Sequence, residues 1–403
     1  MILSHKIALD PTVKQRIYFA KAAGCDRFVY NLALEMWNTE YALNKKVNIN
    51  ELKKQFNSTK YQQYPWMREV HRDAHADPFA RVQSAWVSYF KALKRKDKHI
   101  QRPRFHRKDH KASFYVANDK FSVEACNVRL PVIGQVRMFE PLRFSGKILS
   151  GVVSRTADRW FISISVEVQN SERQRTGNGI AGVDWGIKNA LTITREENLK
   201  KTVEVIPAPK PLLRYSRKLR LMQRSLSRRK KGGSNRKKLA RKIARVHARV
   251  AAIREDFWNK ITTRLCRENQ AVGIETLNTS GMLRNHKLAR AINDVGCSVF
   301  RQKMEYKSKL YSTLLAKADP YYPSSKTCNR CGAIKKVLTL GERVFYCDQC
   351  GHVQDRDVNA SENLCGLAKR LVLSAQKALM PGDSNAVMLL DEPGTTPCAQ
   401  KHT

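Results

Sequence analysis

The chain has 403 residues, with 75 Lys and Arg against 35 Asp and Glu, so its formal net charge at pH 7 is +40. Hydrophobic residues make up 42% of the chain and aromatic residues 8%, which can fill the cores of two or more domains and excludes a wholly disordered basic chain. The sequence has no run of about 18 apolar residues and no signal-peptide pattern, so we expect neither membrane insertion nor secretion. The excess of positive charge indicates a polyanionic partner, with nucleic acid favoured over an anionic membrane surface.

The first hundred residues are predicted to form a strand followed by helices. Residues 1–10 read as a short strand that ends at Asp10-Pro11, where an acid before proline predicts the start of a helix. Helical segments are expected on both sides of Gly24, and a second Asp-Pro start at Asp77-Pro78 opens the most regular helix. One face of that helix carries an apolar stripe that predicts a packed core: Phe79, Val82, Trp86, Tyr89, Phe90 and Leu93.

The pattern then changes to one typical of strands. From Phe114 to Val168 the apolar period is closer to two, which predicts an antiparallel sheet or small barrel to which the first strand could return. A hairpin turn is expected at Ala157-Asp158-Arg159, and the polar residues 171–178 have the composition of a linker.

The second half contains two short apolar strands and a long basic insertion. Residues 180–184 and 271–275 each read as a buried strand that ends in an acid. Between them, residues 210–268 are predicted to form a basic helical hairpin interrupted at residues 232–234. From Arg214 to Arg249 there are 16 Lys or Arg and no acid. A charge run is usually a solvated face, but one without interspersed acids repels itself, so contact with phosphates is the favoured interpretation.

The C-terminal part is predicted to contain two further helices. They cover about residues 295–318 and 359–379, on either side of a cysteine-rich window. Residues 381–403 mix Gly, Pro and polar residues, which predicts a disordered tail.

Four of the ten cysteines fall within that window and have the spacing of a zinc site. They are Cys328, Cys331, Cys347 and Cys350. Two Cys-x2-Cys pairs separated by 15 residues can surround one zinc ion tetrahedrally, at about 2.3 Å, and leave no open position, so the site would be structural. Gly332 and Gly351 directly follow the two pairs and can supply the positive φ that such knuckles need. The alternative is that the spacing arose by coincidence or marks a redox pair. The clustering of these cysteines favours a metal site in a reducing cytoplasm.

Three acids are candidates for a magnesium site. Asp184 and Glu275 end the two apolar strands, and Asp357 stands just before the last predicted helix. Taken singly, Asp184 could be a turn acid, Glu275 a surface acid and Asp357 an N-cap. Together, they could converge at one sheet edge and hold two magnesium ions about 3.5–4 Å apart, which is the arrangement that hydrolyses phosphodiesters. Asp355 is a second candidate for the third acid, and periodicity does not choose between it and Asp357.

Seven short motifs occur along the chain in a characteristic order and spacing, together with the two zinc-type cysteine pairs. They are Arg27-Phe28-Val29-Tyr30-Asn31, Pro103-Arg104-Phe105, Gly182-Val183-Asp184-Trp185-Gly186, Ser227-Arg228-Arg229-Lys230-Lys231, Gly273-Ile274-Glu275, Tyr322-Pro323-Ser324-Ser325 and Asp355-Arg356-Asp357-Val358-Asn359-Ala360. This order and spacing resembles the TnpB family, which consists of transposon-associated RNA-guided DNA endonucleases related to type V CRISPR nucleases. The resemblance covers about residues 1–365.

The resemblance implies an α/β multidomain fold. It places a RuvC-like, RNase-H-type nuclease domain at residues 178–324 and 352–380, with a zinc ribbon inserted at 325–351. It places an oligonucleotide-binding-like wedge β-barrel at residues 1–10 and 101–172, interrupted by a helical recognition domain at 11–100. In the family the third acid stands two residues before an Asn, which selects Asp357 and leaves Asp355 as a neighbour.

The resemblance also implies a magnesium-dependent DNA endonuclease that uses a guide RNA transcribed from the transposon end. It would cleave complementary double-stranded DNA beside a short flanking motif, with two Mg²⁺ at Asp184, Glu275 and Asp357 and one structural Zn²⁺. We expect no membrane partner, a monomer with its RNA or a transient dimer, and a place on the nucleoid in a prokaryotic cytoplasm. The alternatives are a non-catalytic RNA-guided DNA-binding regulator, a transposase that acts without RNA, and a zinc-ribbon RNA-binding protein. The presence of all three acids favours the enzyme.

Overall fold

The computed structural model describes residues 1–97, 100–108, 112–169, 173–339 and 341–378. The chain forms two compact units, the first made of residues 1–171 and 225–248, the second of residues 172–224 and 249–403. Among the described residues, no helix combines the length and the apolar character needed to cross a lipid bilayer. The predicted disordered tail, residues 381–403, lies outside the described residues.

The first unit begins with a strand and three helices. They are β1 (Ile2–Asp10), α1 (Val13–Ala42), α2 (Ile49–Gln63) and α3 (Asp73–Lys94), with a 3-10 turn at Pro65–Glu69 before α3. The predicted start of α1 at Asp10-Pro11 is wrong, because Thr12 is the N-cap. The Thr12 hydroxyl accepts a hydrogen bond from the Gln15 backbone N–H at 3.3 Å, and the Gln15 side chain accepts one from the Thr12 N–H at 2.9 Å.

Two further helix predictions in this unit also need correction. α1 continues through Gly24 as one helix, and α3 begins at Asp73 rather than at Asp77-Pro78. Asp77 does not cap α3, because its carboxylate forms an ion pair with Arg81 at 2.8 Å, one helical turn further on. The apolar stripe of α3 is buried at Phe79, Val82 and Trp86 and half-buried at Tyr89 and Phe90. Leu93 is 54% exposed, since it lies in the last turn of the helix.

The first unit also contains an antiparallel sheet, which includes β1. Its further strands are β2 (Ser113–Ala117), β3 (Ser122–Glu124), β4 (Asn127–Leu130), β5 (Gly134–Met138), β6 (Lys147–Thr156) and β7 (Arg159–Glu167). The strand order is β2-β6-β7-β1-β5-β4-β3. The hairpin between β6 and β7 turns at Ala157 and Asp158, as predicted, and β1 returns to pair with β7 and β5. Phe19 of α1 packs on Phe114 and Trp160 of the sheet, with ring centroids 5.7 and 5.1 Å apart.

The second unit contains a five-stranded mixed sheet. Its strands are β8 (Gly179–Trp185), β9 (Asn189–Glu197), β10 (Lys200–Pro207), β11 (Asn269–Ile274) and β12 (Leu314–Lys317), in the order β10-β9-β8-β11-β12. β8, β9 and β10 are antiparallel neighbours, whereas β8, β11 and β12 run parallel. The two strands predicted to end in acids, β8 and β11, are therefore adjacent and parallel at the centre of the sheet.

The described part of the chain from residue 173 onwards also contains six helices, of which α4 and α5 extend into the first unit. They are α4 (Pro211–Ser227), α5 (Ser234–Glu268), α6 (Thr279–Met282), α7 (Ala289–Val295), α8 (Cys297–Leu310) and α9 (Arg356–Ala378). The predicted basic hairpin corresponds to α4 and α5. The helix predicted over about residues 295–318 is confirmed for α8, which Gly296 with φ +81° separates from α7, but its predicted C-terminal part is wrong, because Leu314–Lys317 pairs with β11 as a strand. α9 begins three residues earlier than predicted.

A small cysteine-bearing subdomain precedes α9. It contains the antiparallel pair β13 (Val344–Tyr346) and β14 (Val353–Asp355) and an isolated bridge between Thr327 and Ile334. Phe345 is fully buried there and packs with Cys328 and Cys347.

Candidate metal centres

Asp184 and Glu275 lie side by side at one edge of the five-stranded sheet. β8 and β11 are in parallel register, with Gly182 opposite Gly273 and Val183 opposite Ile274. The next residue on each chain is the acid, and neighbouring strands stand about 4.8 Å apart. Since side chains alternate along a strand, each acid faces the same side of the sheet as the glycine two residues before it.

Helix α9 covers that side of the sheet and brings Asp357 to the same edge. A Cβ atom on Gly182 would lie 2.0 Å from the Ser361 carbonyl oxygen, and one on Gly273 would lie 2.1 Å from that of Leu364. The backbone of α9 therefore rests directly on the two glycines. Asp357 precedes Ser361 by four residues and Leu364 by seven, so it extends the same helix face towards the two strand acids.

The structure separates the roles of Asp355 and Asp357, which the sequence left open. The Asp355 carboxylate accepts hydrogen bonds from the backbone N–H groups of Asp357 and Val358, at 2.9 and 3.1 Å. Asp355 is therefore the N-cap of α9. The interpretation of Asp357 as an N-cap is wrong, since Asp357 stands in the first turn of the helix, with its side chain 25% exposed.

The three carboxylates influence one another electrostatically. Burial raises the pKa of Asp184 well above its ordinary value, and the charges of Glu275 and Asp357 raise it further, whereas the Arg356 guanidinium opposes the shift. Burial also raises the pKa of Glu275, with the Asp357 charge adding to the effect and the hydrogen bond from Ser324 opposing it. Three acids that repel one another in a partly buried site are stabilised by a cation, and carboxylate oxygens suit magnesium.

The four cysteines predicted to bind zinc form a tight cluster. Their sulfur atoms all lie within 4.8 Å of one another, with Cys331 to Cys347 at 3.5 Å and Cys328 to Cys350 at 3.7 Å. Four sulfurs around one zinc ion at about 2.3 Å would stand about 3.8 Å apart. Among the described residues this is the one group of three or more candidate ligands found to be so closely spaced.

Both cysteine pairs lie on knuckle turns of the predicted kind. Gly332 has φ +77° and Gly351 has φ +66°. Each glycine N–H donates a hydrogen bond to the first cysteine of its pair, at 2.9 Å to the Cys328 carbonyl and 3.0 Å to the Cys347 carbonyl. The cluster can hold one zinc ion.

The basic hairpin carries its charge on the surface. Of the 16 Lys and Arg from Arg214 to Arg249, all but Arg236 are exposed. Arg245 is neutralised by Asp158, whose two carboxylate oxygens each accept from its Nε at 3.0 Å. The described residues that line a cleft near the tip include five cations and no acid, the cations being Arg229, Lys238, Arg241, Lys242 and Arg245.

Sequence analysis named three further residues only as members of motifs and did not predict their roles in the acidic site. Gly182 and Gly273 seat α9, and the Ser324 hydroxyl donates a hydrogen bond to Glu275 Oε1. The role of the glycines could have been predicted from the sequence, because each stands two residues before its acid, in Gly182-Val183-Asp184 and in Gly273-Ile274-Glu275. No spacing rule connects Ser324 with Glu275, which lies 49 residues away.

Three family models match parts of the chain. A model described as "Probable transposase" matches residues 163–286, and a "Cas12f1-like, TNB domain" model matches residues 298–364, which include all four clustered cysteines. A "Helix-turn-helix domain" model matches residues 1–46, which in this structure form β1 and α1.

Several known proteins resemble the chain over nearly its full length. A Streptomyces pristinaespiralis protein named "Putative RNA-guided DNA endonuclease" is 35% identical over 379 residues, covering 92% of this chain and 90% of that protein. An Escherichia coli K12 protein of the same description, InsQ, is 26% identical, covering 94% of both chains. The fold is similar to a solved structure of the mini-RNA-guided endonuclease CRISPR-Cas_phi3, with a TM-score of 0.53, 8% identity and coverage of 91% and 92%. The chain thus belongs to the TnpB family of RNA-guided DNA endonucleases.

Proposed function

We propose that this protein is an RNA-guided, magnesium-dependent DNA endonuclease of a transposon. It cleaves double-stranded DNA that is complementary to a guide RNA from the transposon end, beside a short flanking motif. The observation that carries the proposal is the meeting of Asp184 and Glu275 at the edge of β8 and β11, on the side covered by α9 and Asp357. Family membership supplies the substrate class.

The three carboxylates have the chemistry that phosphodiester hydrolysis requires. Asp184, Glu275 and Asp357 would hold two magnesium ions, which when bound lower the pKa of water and stabilise the leaving oxygen. Asp184 is fixed at the end of a central strand and Asp357 in the first turn of a helix seated on backbone, so both are held on rigid elements. Ser324 restrains Glu275, which lies beyond the last paired residue of its strand.

The topology of the second unit supports a RuvC-like, RNase-H-type assignment. An antiparallel run of three strands continues into a parallel pair, and the acids lie at the carboxyl ends of the central strands. We likewise assign the first unit's antiparallel sheet to an oligonucleotide-binding-like wedge domain and its three helices to a recognition domain. The pairings leave β2 and β3 as sheet edges among the described strands.

The four-cysteine cluster is proposed to hold one structural zinc ion in a ribbon inserted before the last acid. The sulfur separations of 3.5 and 3.7 Å support this assignment, since they are close to those of a tetrahedral site. Four thiolates leave no position for substrate, so this metal would stabilise the fold and take no part in the reaction.

The guide RNA and the target DNA are the proposed partners of the exposed basic hairpin. Phosphates would neutralise the exposed cations from Arg214 to Arg249 other than Arg245, which is paired with Asp158; this stretch contains no acid in sequence. Base pairing would supply most of the sequence specificity, while the protein contacts the backbone.

One alternative has an observation in its favour, since a matching family model is described as a transposase. A transposase that acts without RNA would join DNA ends in a strand-transfer assay from which RNA has been removed. A non-catalytic regulator would bind its RNA-specified target without cutting it.

The decisive experiment starts by purifying the protein with its RNA and sequencing that RNA. A target plasmid carrying the complementary sequence next to randomised flanks is then tested for cleavage in magnesium. Asp184→Asn and Glu275→Gln should abolish cleavage while RNA binding persists, whereas Glu197→Gln, an exposed acid paired with Arg195 on the same sheet, should cleave normally. Retained cutting by both acid variants would overturn the assignment.

A further inference from the structure

Ser324 is the residue through which the segment before the first cysteine pair reaches the acidic site. Its hydroxyl donates a hydrogen bond to Glu275 Oε1, and the residue is 4% exposed. Glu275 has one more side-chain torsion than Asp184 and stands after the last residue of β11. Without a restraint, the Glu275 carboxylate would therefore sample more positions than the Asp184 carboxylate.

Two buried or half-buried asparagines of α9 hold the backbone around Ser324. The Asn363 side-chain amide donates to the Ser324 carbonyl at 2.8 Å and to the Thr327 carbonyl at 2.7 Å. One turn earlier, Asn359, which is fully buried, donates to the Thr327 carbonyl at 2.8 Å. The position of Ser324 is therefore set by the helix that also carries Asp357.

Asn359 also forms hydrogen bonds with the backbone of the first cysteine knuckle. The Asn359 side-chain oxygen accepts from the Asn329 backbone N–H at 3.1 Å, so Asn359 contacts the residues on both sides of Cys328. A continuous set of hydrogen bonds thus runs from the cysteine cluster, through α9, to the Glu275 carboxylate.

We propose that Ser324 is a positioning residue that fixes Glu275 Oε1, and that Asn363 acts through Ser324. The other carboxylate oxygen of Glu275 would then be free to bind a cation. The inference rests on the proposed function, because it concerns divalent-cation binding at the same acids.

The test compares Ser324→Ala with Ser325→Ala, which removes the same atom one residue further along, and with Ser324→Thr, which keeps the hydroxyl. Mn²⁺ binding to the RNA-loaded protein without DNA is measured by electron paramagnetic resonance. Ions bound to RNA are subtracted with the Asp184→Asn/Glu275→Gln double variant. Ser324→Ala should weaken Mn²⁺ binding about tenfold, the effect of losing one hydrogen bond to a charged group, whereas Ser325→Ala should not.

The cleavage assay should distinguish Ser324→Ala from Ser325→Ala in the same way. In Ser324→Ala, the magnesium concentration that gives half the maximal cleavage rate should rise about tenfold, and the rate at saturating magnesium should approach that of the wild type. Ser324→Thr, which keeps the hydroxyl, should bind the metal as the wild type does. Zinc content and melting temperature should match those of Ser325→Ala. A Ser324→Ala protein with unchanged Mn²⁺ binding would overturn the inference, as would one that loses zinc and Mn²⁺ together.

A double-mutant cycle tests the route through Asn363, and its Asn363→Ala single variant stays informative if Ser324→Ala folds poorly. Asn363→Ala alone should weaken Mn²⁺ binding, and it should add nothing in the Ser324→Ala background. Unchanged binding in Asn363→Ala, or fully additive losses, would refute the coupling. Cleavage by Glu275→Gln would refute the proposed function. If Glu275→Gln is inactive and Ser324→Ala behaves as Ser325→Ala does, the proposed function stands and only the role of Ser324 is refuted.

Discussion

Gly182 and Gly273 lie opposite each other in the parallel pair β8–β11, and the backbone of α9 rests on both. Each glycine stands two residues before an acid of the proposed catalytic site. The absence of two Cβ atoms therefore sets the height of α9 above the sheet, and with it the distance from Asp357 to the strand acids. The buried contact between Thr194 and Ser361 hydroxyls, at 2.6 Å, closes the same interface beside Gly182.

We expect Gly182→Ala and Gly273→Ala to destabilise the protein and to abolish cleavage. The new Cβ would meet backbone atoms of α9 at 2.0–2.1 Å, and overpacking of this kind costs about 1–3 kcal/mol or more in the free energy of unfolding. Urea denaturation and the cleavage assay measure the two effects. Gly24→Ala is the control, because Gly24 lies inside α1 with no atom near its Cβ position, and alanine there should stabilise by about 0.5–1 kcal/mol. Full activity of either sheet variant would contradict this account.

Asp355 and Asp357 should give opposite results when substituted. Asp355→Ala removes the N-cap of α9 and should cost about 1 kcal/mol of unfolding free energy while leaving measurable cleavage. Asp357→Asn should abolish cleavage with little loss of stability, because it removes one of three mutually repelling carboxylates. Thermal melting of each variant measures its stability, and the cleavage rate measures its activity. The reverse pattern would show that Asp355 is the third acid.

The sequence predicted the parts of the site that depend on local pattern. An apolar strand followed by an acid is visible in residues 180–184 and 271–275, and paired cysteines followed by glycine are visible at Gly332 and Gly351. The parallel pairing of β8 with β11 needed the fold, because about 85 residues and the whole basic hairpin separate the two strands.

The wrong predictions have two physical causes: a tertiary pairing overrode the local preference at β12, and a competing local contact did so at the two helix starts. The pattern of Leu314–Lys317 predicts the end of a helix, but this segment forms β12 because its backbone pairs with β11. The Asp10-Pro11 and Asp77-Pro78 pairs have the chemistry of helix starts, yet Thr12 caps α1 and Arg81 binds Asp77. Ser324 was visible only as a member of a motif, and its role could not be predicted from the sequence because that role depends on where α9 places the chain.

Removing the first cysteine pair should release the metal and loosen the start of α9. Cys328→Ser combined with Cys331→Ser should lower the zinc content by about one ion per chain, measured by elemental analysis. Because Asn359 and Asn363 bind the backbone around Cys328, hydrogen exchange at the first turns of α9 should speed up. Cys126→Ser, an exposed cysteine outside the cluster, is the control and should change neither. Unchanged zinc in the double variant would refute the site.

Asp26 should make the stability of the first unit sensitive to pH. Asp26 is 4% exposed, and burial raises its pKa from 3.8 to about 6, although Arg81 contacts it at 2.5 Å and opposes the shift. The folded state therefore binds this proton more tightly than the unfolded state, so the contribution of Asp26 to stability increases as the pH falls through 6 towards 4. The difference in unfolding free energy between wild type and Asp26→Asn should shift by about 1 kcal/mol in favour of wild type from pH 7.5 to pH 5. A difference that is flat with pH would show that Asp26 titrates normally.

The cations of the hairpin cleft should determine how strongly RNA binding depends on salt. Lys238, Arg241 and Lys242 are exposed, whereas Arg245 is already paired with Asp158. Replacing the first three by Gln should lower the slope of log K against log salt by about 0.7–0.9 for each phosphate that the protein no longer neutralises. The matched control is Arg245→Gln with Asp158→Asn, which removes a cation and its partner acid and leaves the net charge unchanged. If the triple variant keeps the wild-type slope in filter-binding titrations at several salt concentrations, this cleft does not bind the RNA backbone.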